Sequence, residues 1–477
     1  MSADLAAALR AALSAERVHV DDLHRALYGR DASILSGRAG IVCFPVDTDE
    51  VVRCVELARQ FGRAVVPRGA GTGLAGGAVP IAGTESVVVA TSRMDRILDV
   101  DPIGCVAWVQ PGVLNLDLSR AVAPHGLHFA PDPSSQQSCT IGGNVANNSG
   151  GPHCLAYGVT SAHVLAVEVV LGDGSVAILG GLDPEPAGLD LRGVFVGSEG
   201  TMGIATRVAV KLTPVPPAVQ TVLAAFPTIE AAAQTVSSVI AAGIVPAALE
   251  MMDAAITRAV EEYVQAGLPV DAAAILLVEV DGLPDGVAAE AASVVEIAEA
   301  AGATSIRVAA DAVERAVLWK ARKSAFGAIA RVAPDYYLHD AVVPRAKLVD
   351  VLREVYAIGA RHDVIMMNVF HAGDGNLHPL IVFDAREEGV LERVHAAGDD
   401  IIRVCVEAGG MLSGEHGIGL EKRDFMPLVF SEVDLAAQAA ARTAFDPDDV
   451  CNPDKILPGG VGCGEAVRRP VPAGAWI

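Results

Sequence analysis

Hydrophobic positions change their spacing several times along the 477-residue chain, and each change predicts an element. MSADLAAALRAALSAERV spaces its leucines helically, carries Asp4 early and lacks a basic leader, so it reads as an amphipathic helix rather than a signal peptide. Asp47 and Glu50 stand at capping-box spacing and open an amphipathic helix through Cys54, Leu57, Ala58 and Phe61. Arg63 to Pro67 predicts a short strand running into a glycine-rich loop, and HVLAVEVVLGDGSVAIL predicts two strands joined at Asp173-Gly174. The prolines of TPVPPAV, Thr213 to Val219, predict a domain boundary. Beyond it, strands over 222–226, 274–280 and 304–308 alternate with helices over 229–242 and 284–301. That alternation predicts an α+β sandwich of ferredoxin-like kind. After residue 386 the chain reads as mostly helical and ends in the loop-rich CNPDKILPGG.

Composition narrows the classes. Apolar residues at 52% against 19% charged exclude extended disorder. With 58 acidic and 35 basic side chains the net charge is −23, which repels phosphate backbones and argues against a nucleic-acid binder. No apolar run reaches the roughly 18 residues of a spanning helix. The eight cysteines form no C-x-x-C pair, so no iron–sulfur cluster or zinc ribbon is expected within this chain, and a reduced, cytoplasmic protein is.

The glycines cluster. PRGAGTGLAGG, Pro67 to Gly77, contains Gly71-x-Gly73-x-x-Gly76, but Pro80 and Gly83 forbid the helix that a Rossmann loop must enter. What survives is a run of uncovered main-chain N–H groups suited to a phosphate. PDPSSQQSCTIGGNVANNSGG, Pro131 to Gly151, and GSEGTMGI, Gly197 to Ile204 after an expected short strand, share this character. Three such loops suggest an elongated polar ligand such as a flavin dinucleotide.

Farther on, HAGDGNLHP sets His371 and His378 seven apart across a glycine turn, which would bring both imidazoles to one end of a hairpin. SGEHGIG adds Glu415 and His416 on what reads as an exposed loop. Two His and a carboxylate suit zinc or manganese, although isolated histidines are more often surface or hydrogen-bonded core residues. That bland reading suffices for His19, His24, His125 and His362.

PRGAGTGLAGG, PDPSS, TIGGNVANNSGG, YGVT and GSEGTMGI together resemble the PCMH-type FAD-binding domain of the vanillyl-alcohol oxidase superfamily. HAGDGNLHP, SGEHGIG and CNPDKILP resemble the C-terminal domain of FAD-linked 2-hydroxy-acid dehydrogenases, a group that takes in D-lactate dehydrogenase, D-2-hydroxyglutarate dehydrogenase and the corresponding chain of glycolate oxidase. The resemblance implies an α+β chain: a helical segment (1–37), the FAD domain (38–217), a ferredoxin-like substrate domain with the metal site and a C-terminal helical segment (218–460), and a tail (461–477). It implies FAD phosphates along Pro67, Arg68, Gly69, Ala70, Gly71, Thr72, Gly73, Leu74 and Gly76. The rest of the cofactor would run along Pro131, Asp132, Ser134, Thr140, Gly142, Gly143, Asn144, Asn147, Gly150, Gly151 and Tyr157. Glu199, Gly200, Gly203 and Ile204 complete the site, and Asn452 reaches toward the flavin ring. The first loop offers no His or Cys for attachment, so the FAD is expected to be non-covalent, with His153 and Cys154 the nearest alternatives.

By the same resemblance His371, His378 and Glu415 hold a divalent cation, His416 is the base and Arg322 grips the substrate carboxylate. Lys323 and Arg331 are weaker candidates for that grip. Tyr336-Tyr337 stands where relatives acting on the five-carbon diacid carry a lysine, which favours glycolate or D-lactate over D-2-hydroxyglutarate. The expected electron acceptor is a quinone, a cytochrome or an iron–sulfur subunit, and the expected assembly a homodimer or an oxidase complex, at most peripherally membrane-associated. Alternatives are a transferase like the flavin-dependent alkyl-glycerone-phosphate synthases and a non-catalytic flavin subunit. Both C-terminal motifs weigh against them.

Overall fold

The computed structural model describes residues 2–81, 85–182 and 188–459, so the expected tail over 461–477 lies outside the described residues. The chain forms two compact units. Residues 151–158 and Pro216–Gly414 form the second, and the described residues before, between and after them form the first. Neither unit is contiguous in sequence. The segment from Glu415 onward, expected with the substrate domain, groups with the first unit. The reason is main-chain pairing: Cys451 bridges Val65 in parallel, and Asn452 N donates to Val65 O at 2.7 Å.

In the first unit the helix Ser2–Leu13 buries Leu5, Leu9 and Leu13, a stripe at helical spacing, against Val51, Cys54, Val55 and Ala58 of the helix Thr48–Gln60. Asp47 caps that second helix through Glu50 N, but the Glu50 carboxylate accepts from Val46 N instead of closing a capping box. The strands Ile41–Cys43 and Val65–Arg68 flank Val87–Ala90 in parallel. Val87 and Val89 pack to one side of this layer and Val88 and Ala90 to the other, which is why the central strand is apolar throughout. A second, antiparallel sheet runs in the order Ile97–Asp101, Val106–Val109, Ile204–Lys211, Val164–Val170, Val176–Gly180. It includes the expected hairpin around Gly174, whose φ of +88° meets the left-handed demand of the turn.

Two loop readings change. The segment before GSEGTMGI is the short helix Leu191–Phe195, capped by Asp190, rather than a strand. Within the second glycine-rich stretch lies the helix Ile141–Asn147, with Thr140 Oγ1 accepting from Gly143 N at 3.2 Å. Consecutive glycines conceal it from propensity, and the cap supplies what they lack.

The second unit has the expected ferredoxin-like centre. Ser305–Val308, Ala218–Phe226, Ala274–Gly282 and Ala248–Asp253 lie side by side and antiparallel, the order 4-1-3-2. Ile365–His371 extends this sheet beside Ala248–Asp253. The helices Ile229–Ala241, Pro284–Ala300, Leu348–Arg361 and Val390–Glu407 contribute Val236, Val294, Val355 and Ile401 to one core with Leu249, Met251, Leu276 and Val278. Glu250 and Glu279 alternate with those core residues and point to the opposite face, yet both are buried. No described helix is long and apolar enough to cross a membrane.

Candidate functional site

The first unit gathers the glycine loops around main-chain donors. The strand Val65–Arg68 delivers the chain into the Pro67–Gly77 loop, where a Cβ on Gly69 would stand 2.4 Å from the Thr140 Oγ1 that caps the next loop's helix. Gly200, at φ +75°, passes so close to Pro67 that a Cβ would lie 2.8 Å from its ring. Bare backbone is therefore required where the loops meet. Asn452 Nδ2 donates to Gly77 O at 2.8 Å and to Glu199 O at 2.7 Å, tying the first and third loops together. Asn147 Nδ2 donates to His416 O at 3.0 Å, so the second loop holds the backbone of the candidate base.

Charge is buried among these loops. Glu199 Oε1 accepts from Ile418 N at 2.7 Å and Gly419 N at 3.1 Å, while burial, the dominant influence, pushes its carboxyl up to about 7. Lys455 Nζ donates to Val79 O at 2.8 Å, and burial lowers its ammonium to about 8. Among the described residues Arg68 Nε, Ser198 Oγ, Glu199 Oε2 and Asn452 Oδ1 are buried without a hydrogen-bond partner. Buried polar atoms are normally satisfied, so four orphans on the first loop, the third loop and Asn452 fit a polar ligand that completes them.

In the second unit His371 ends the strand Ile365–His371, pairs with Asn376 across the glycine turn, and is followed by Leu377 and His378. Arg345 Nη1 holds the turn at Gly373 O, 2.8 Å away. The two imidazole centroids lie 5.0 Å apart, edge to face, as the hairpin reading expected. A buried acid backs each ring: Glu250 Oε1 is 2.7 Å from His371 Nδ1, and Asp340 Oδ1 is 3.5 Å from His378 Nε2. Asp340 also accepts from Ser413 Oγ at 2.6 Å and Gly414 N at 3.0 Å, one peptide bond before Glu415. Glu415 and His416 are only 10% and 12% exposed at their side chains, so their loop is not the exposed one the sequence suggested.

Arg322 is 1% exposed, and its Nη2 lies 2.5 Å from Glu250 Oε2. It shares a helix face with Arg315 and Trp319, whose nitrogens donate to Glu279 at 2.7 Å and 2.5 Å. Lys323 instead lies over the Trp319 ring, and Arg331 is exposed near Glu262.

Residues 39–180 match the model of the FAD binding domain, and residues 215–456 match the model of FAD linked oxidases, C-terminal domain. The chain belongs to the FAD-linked oxidases. It is 46% identical to the glycolate oxidase subunit GlcD of Escherichia coli (strain K12), over 88% of this chain and 83% of that one. It is 32% identical to a D-lactate dehydrogenase of Anaerostipes hadrus, over 93% and 95%. Among solved structures p-cresol methylhydroxylase superposes with a TM-score of 0.79 at 15% identity, covering 94% of this chain and 96% of that one, a likeness of fold. This FAD-linked oxidase is thus an FAD-dependent oxidoreductase on the expected α+β, PCMH-type architecture.

The first and third loops, the second as far as Gly150, and Asn452 of the expected cofactor site fall in the first unit, as do Thr140, Asn144 and Asn147. Gly151 and Tyr157 belong to the second unit, where the Tyr157 hydroxyl donates to Asp281. Ser134 is exposed. Sequence reasoning overlooked Lys455, although it lies inside the quoted CNPDKILP, and it overlooked Glu250 and Asp340. For Glu250 the signal was available: one acid inside the otherwise apolar run ALEMM.

Proposed function

We propose that this oxidase converts a small D-2-hydroxy acid, glycolate or D-lactate, to the 2-keto acid with non-covalent FAD and a divalent cation, zinc or manganese. The observation that carries the reading is Arg322. Its guanidinium is fully buried, its Nε has no acceptor among the described residues, and Glu250 joins it to His371. A buried arginine with Nε–H to spare suits a small carboxylate, to which it can donate a charge-assisted hydrogen bond. The relatives named for glycolate and D-lactate oxidation support this choice of substrate class.

The donor set fits a cation. Glu250 and Asp340 set two buried carboxylates against His371 and His378 with one buried guanidinium, and such an excess of negative charge suits a cation. His371, His378 and Glu415 would hold it, and it would act as a Lewis acid toward the hydroxyl group. FAD, when bound along the first unit's loops, supplies the hydride acceptor. The remaining work falls to side chains: Arg322 orients the substrate carboxylate, and a ring nitrogen of His416 accepts the hydroxyl proton. Electrons then leave to a quinone, a cytochrome or an iron–sulfur subunit, in a cytoplasmic homodimer or oxidase complex.

Anaerobic addition of glycolate, D-lactate, L-lactate and D-2-hydroxyglutarate to FAD-loaded, metal-replete protein tests the reading. Bleaching of the flavin band by glycolate or D-lactate is expected, and bleaching by none of the four removes the proposal. In the same assay His416→Ala retains FAD and loses flavin reduction; an unchanged reduction rate would take the base role from His416.

A further inference from the structure

The strand Ala248–Asp253 turns Leu249 and Met251 into the hydrophobic core and Glu250 to the other face of the sheet. There Glu250 stands directly opposite His371 in antiparallel register and is 1% exposed. Its two oxygens have different partners, His371 Nδ1 at 2.7 Å and Arg322 Nη2 at 2.5 Å. Packing alone does not ask for this arrangement. A buried ion pair recovers its desolvation cost poorly, and an apolar pair of similar volume is often as stable. What the carboxylate adds is orientation.

We propose that Glu250 is a positioning residue that couples the cation to the substrate carboxylate, an inference that rests on the function proposed above. By accepting from Nδ1–H it fixes the His371 tautomer that directs Nε2 to the metal, and it raises the basicity of that ring. By holding Nη2 it turns the Arg322 fork so that Nε is left for the substrate. One carboxylate therefore sets the angle of a metal ligand and of the anion grip. Loss of Glu250 disturbs both sites although it touches neither metal nor substrate.

The test compares Glu250→Gln, the double variant Glu250→Leu/Arg322→Leu and His378→Ala with the unaltered protein. FAD content and circular dichroism monitor folding. Zinc affinity is measured by chelator competition, and KM and kcat by flavin reduction with glycolate. Glu250→Gln is expected to bind zinc about 10- to 100-fold more weakly, the usual effect of losing an outer-shell partner. Its KM for glycolate is expected to rise more than its kcat falls once zinc is saturating. The double variant leaves no orphaned buried charge, so it keeps its fold if Glu250→Gln does not, and it too binds zinc more weakly. Unaltered zinc affinity in a folded Glu250 variant, with zinc lost from His378→Ala, overturns this inference and leaves the proposed metal site standing. Equal zinc affinity in His378→Ala and the unaltered protein overturns the metal site itself, and the coupling with it.

Discussion

At the scale of single residues, the sites are marked by charges placed where apolar side chains would pack. Glu199 is the clearest case in the first unit. Burial raises its carboxyl from 4.5 to about 7, so the folded chain binds this proton more tightly than the unfolded one. Stability contributed by the neutral form is therefore greatest at low pH, is lost as pH rises from 4.5 toward 7, and levels off above that. For FAD-free protein, Glu199→Gln is expected to stabilise by about 1 kcal/mol near pH 5.5 and by roughly 3 kcal/mol near pH 8. Urea melts at the two pH values check this, and an equal gain at both would remove burial as the cause. Residue chemistry of this kind was only half legible beforehand. Glu199 lies in a recognisable motif, whereas Glu250 shows in the sequence only as a lone acid in an apolar run, and strand register is what sets it against His371.

At the scale of elements, alternation and proline placement revealed most of the second unit. The expected strands over 222–226, 274–280 and 304–308 lie within one or two residues of those observed, apart from an earlier start at Ala218. The strand Ala248–Asp253 and the helix Ala254–Val264 were overlooked. Both faces of that strand are buried, which erases the period-two pattern that alternation reading depends on. The helix Ile141–Asn147 was hidden by Gly142 and Gly143, and it exists because Thr140 caps it and Ile141 and Val145 are buried. Thr140→Ala is thus expected to cost about 1 kcal/mol in a denaturant melt, and Thr140→Ser to restore most of it. Because the same hydroxyl faces Gly69 of the first loop, the alanine variant should also release FAD more readily on dialysis. A melt that changes without any change in FAD retention would separate the cap from the cofactor cradle.

At the scale of the whole molecule, a chain of net charge −23 belongs to a family that binds an anionic cofactor, and we propose an anionic substrate as well. The local devices are main-chain N–H groups and the buried cations of Lys455 and Arg322. Outside these sites the acidic surface acts at long range on whatever collects the electrons. A cationic acceptor should be drawn toward the protein and an anionic one repelled, both less so as salt shortens the screening length from about 30 Å at 0.01 M to about 8 Å at 0.15 M. Reoxidation of the reduced flavoprotein by hexaammineruthenium(III) is therefore expected to slow severalfold across that range, and reoxidation by ferricyanide to quicken. Stopped-flow rates for the two acceptors decide the matter. If both respond to salt in the same direction, the field at the point of electron exit is set by a local patch opposed to the net charge, and a physiological partner would meet that patch first.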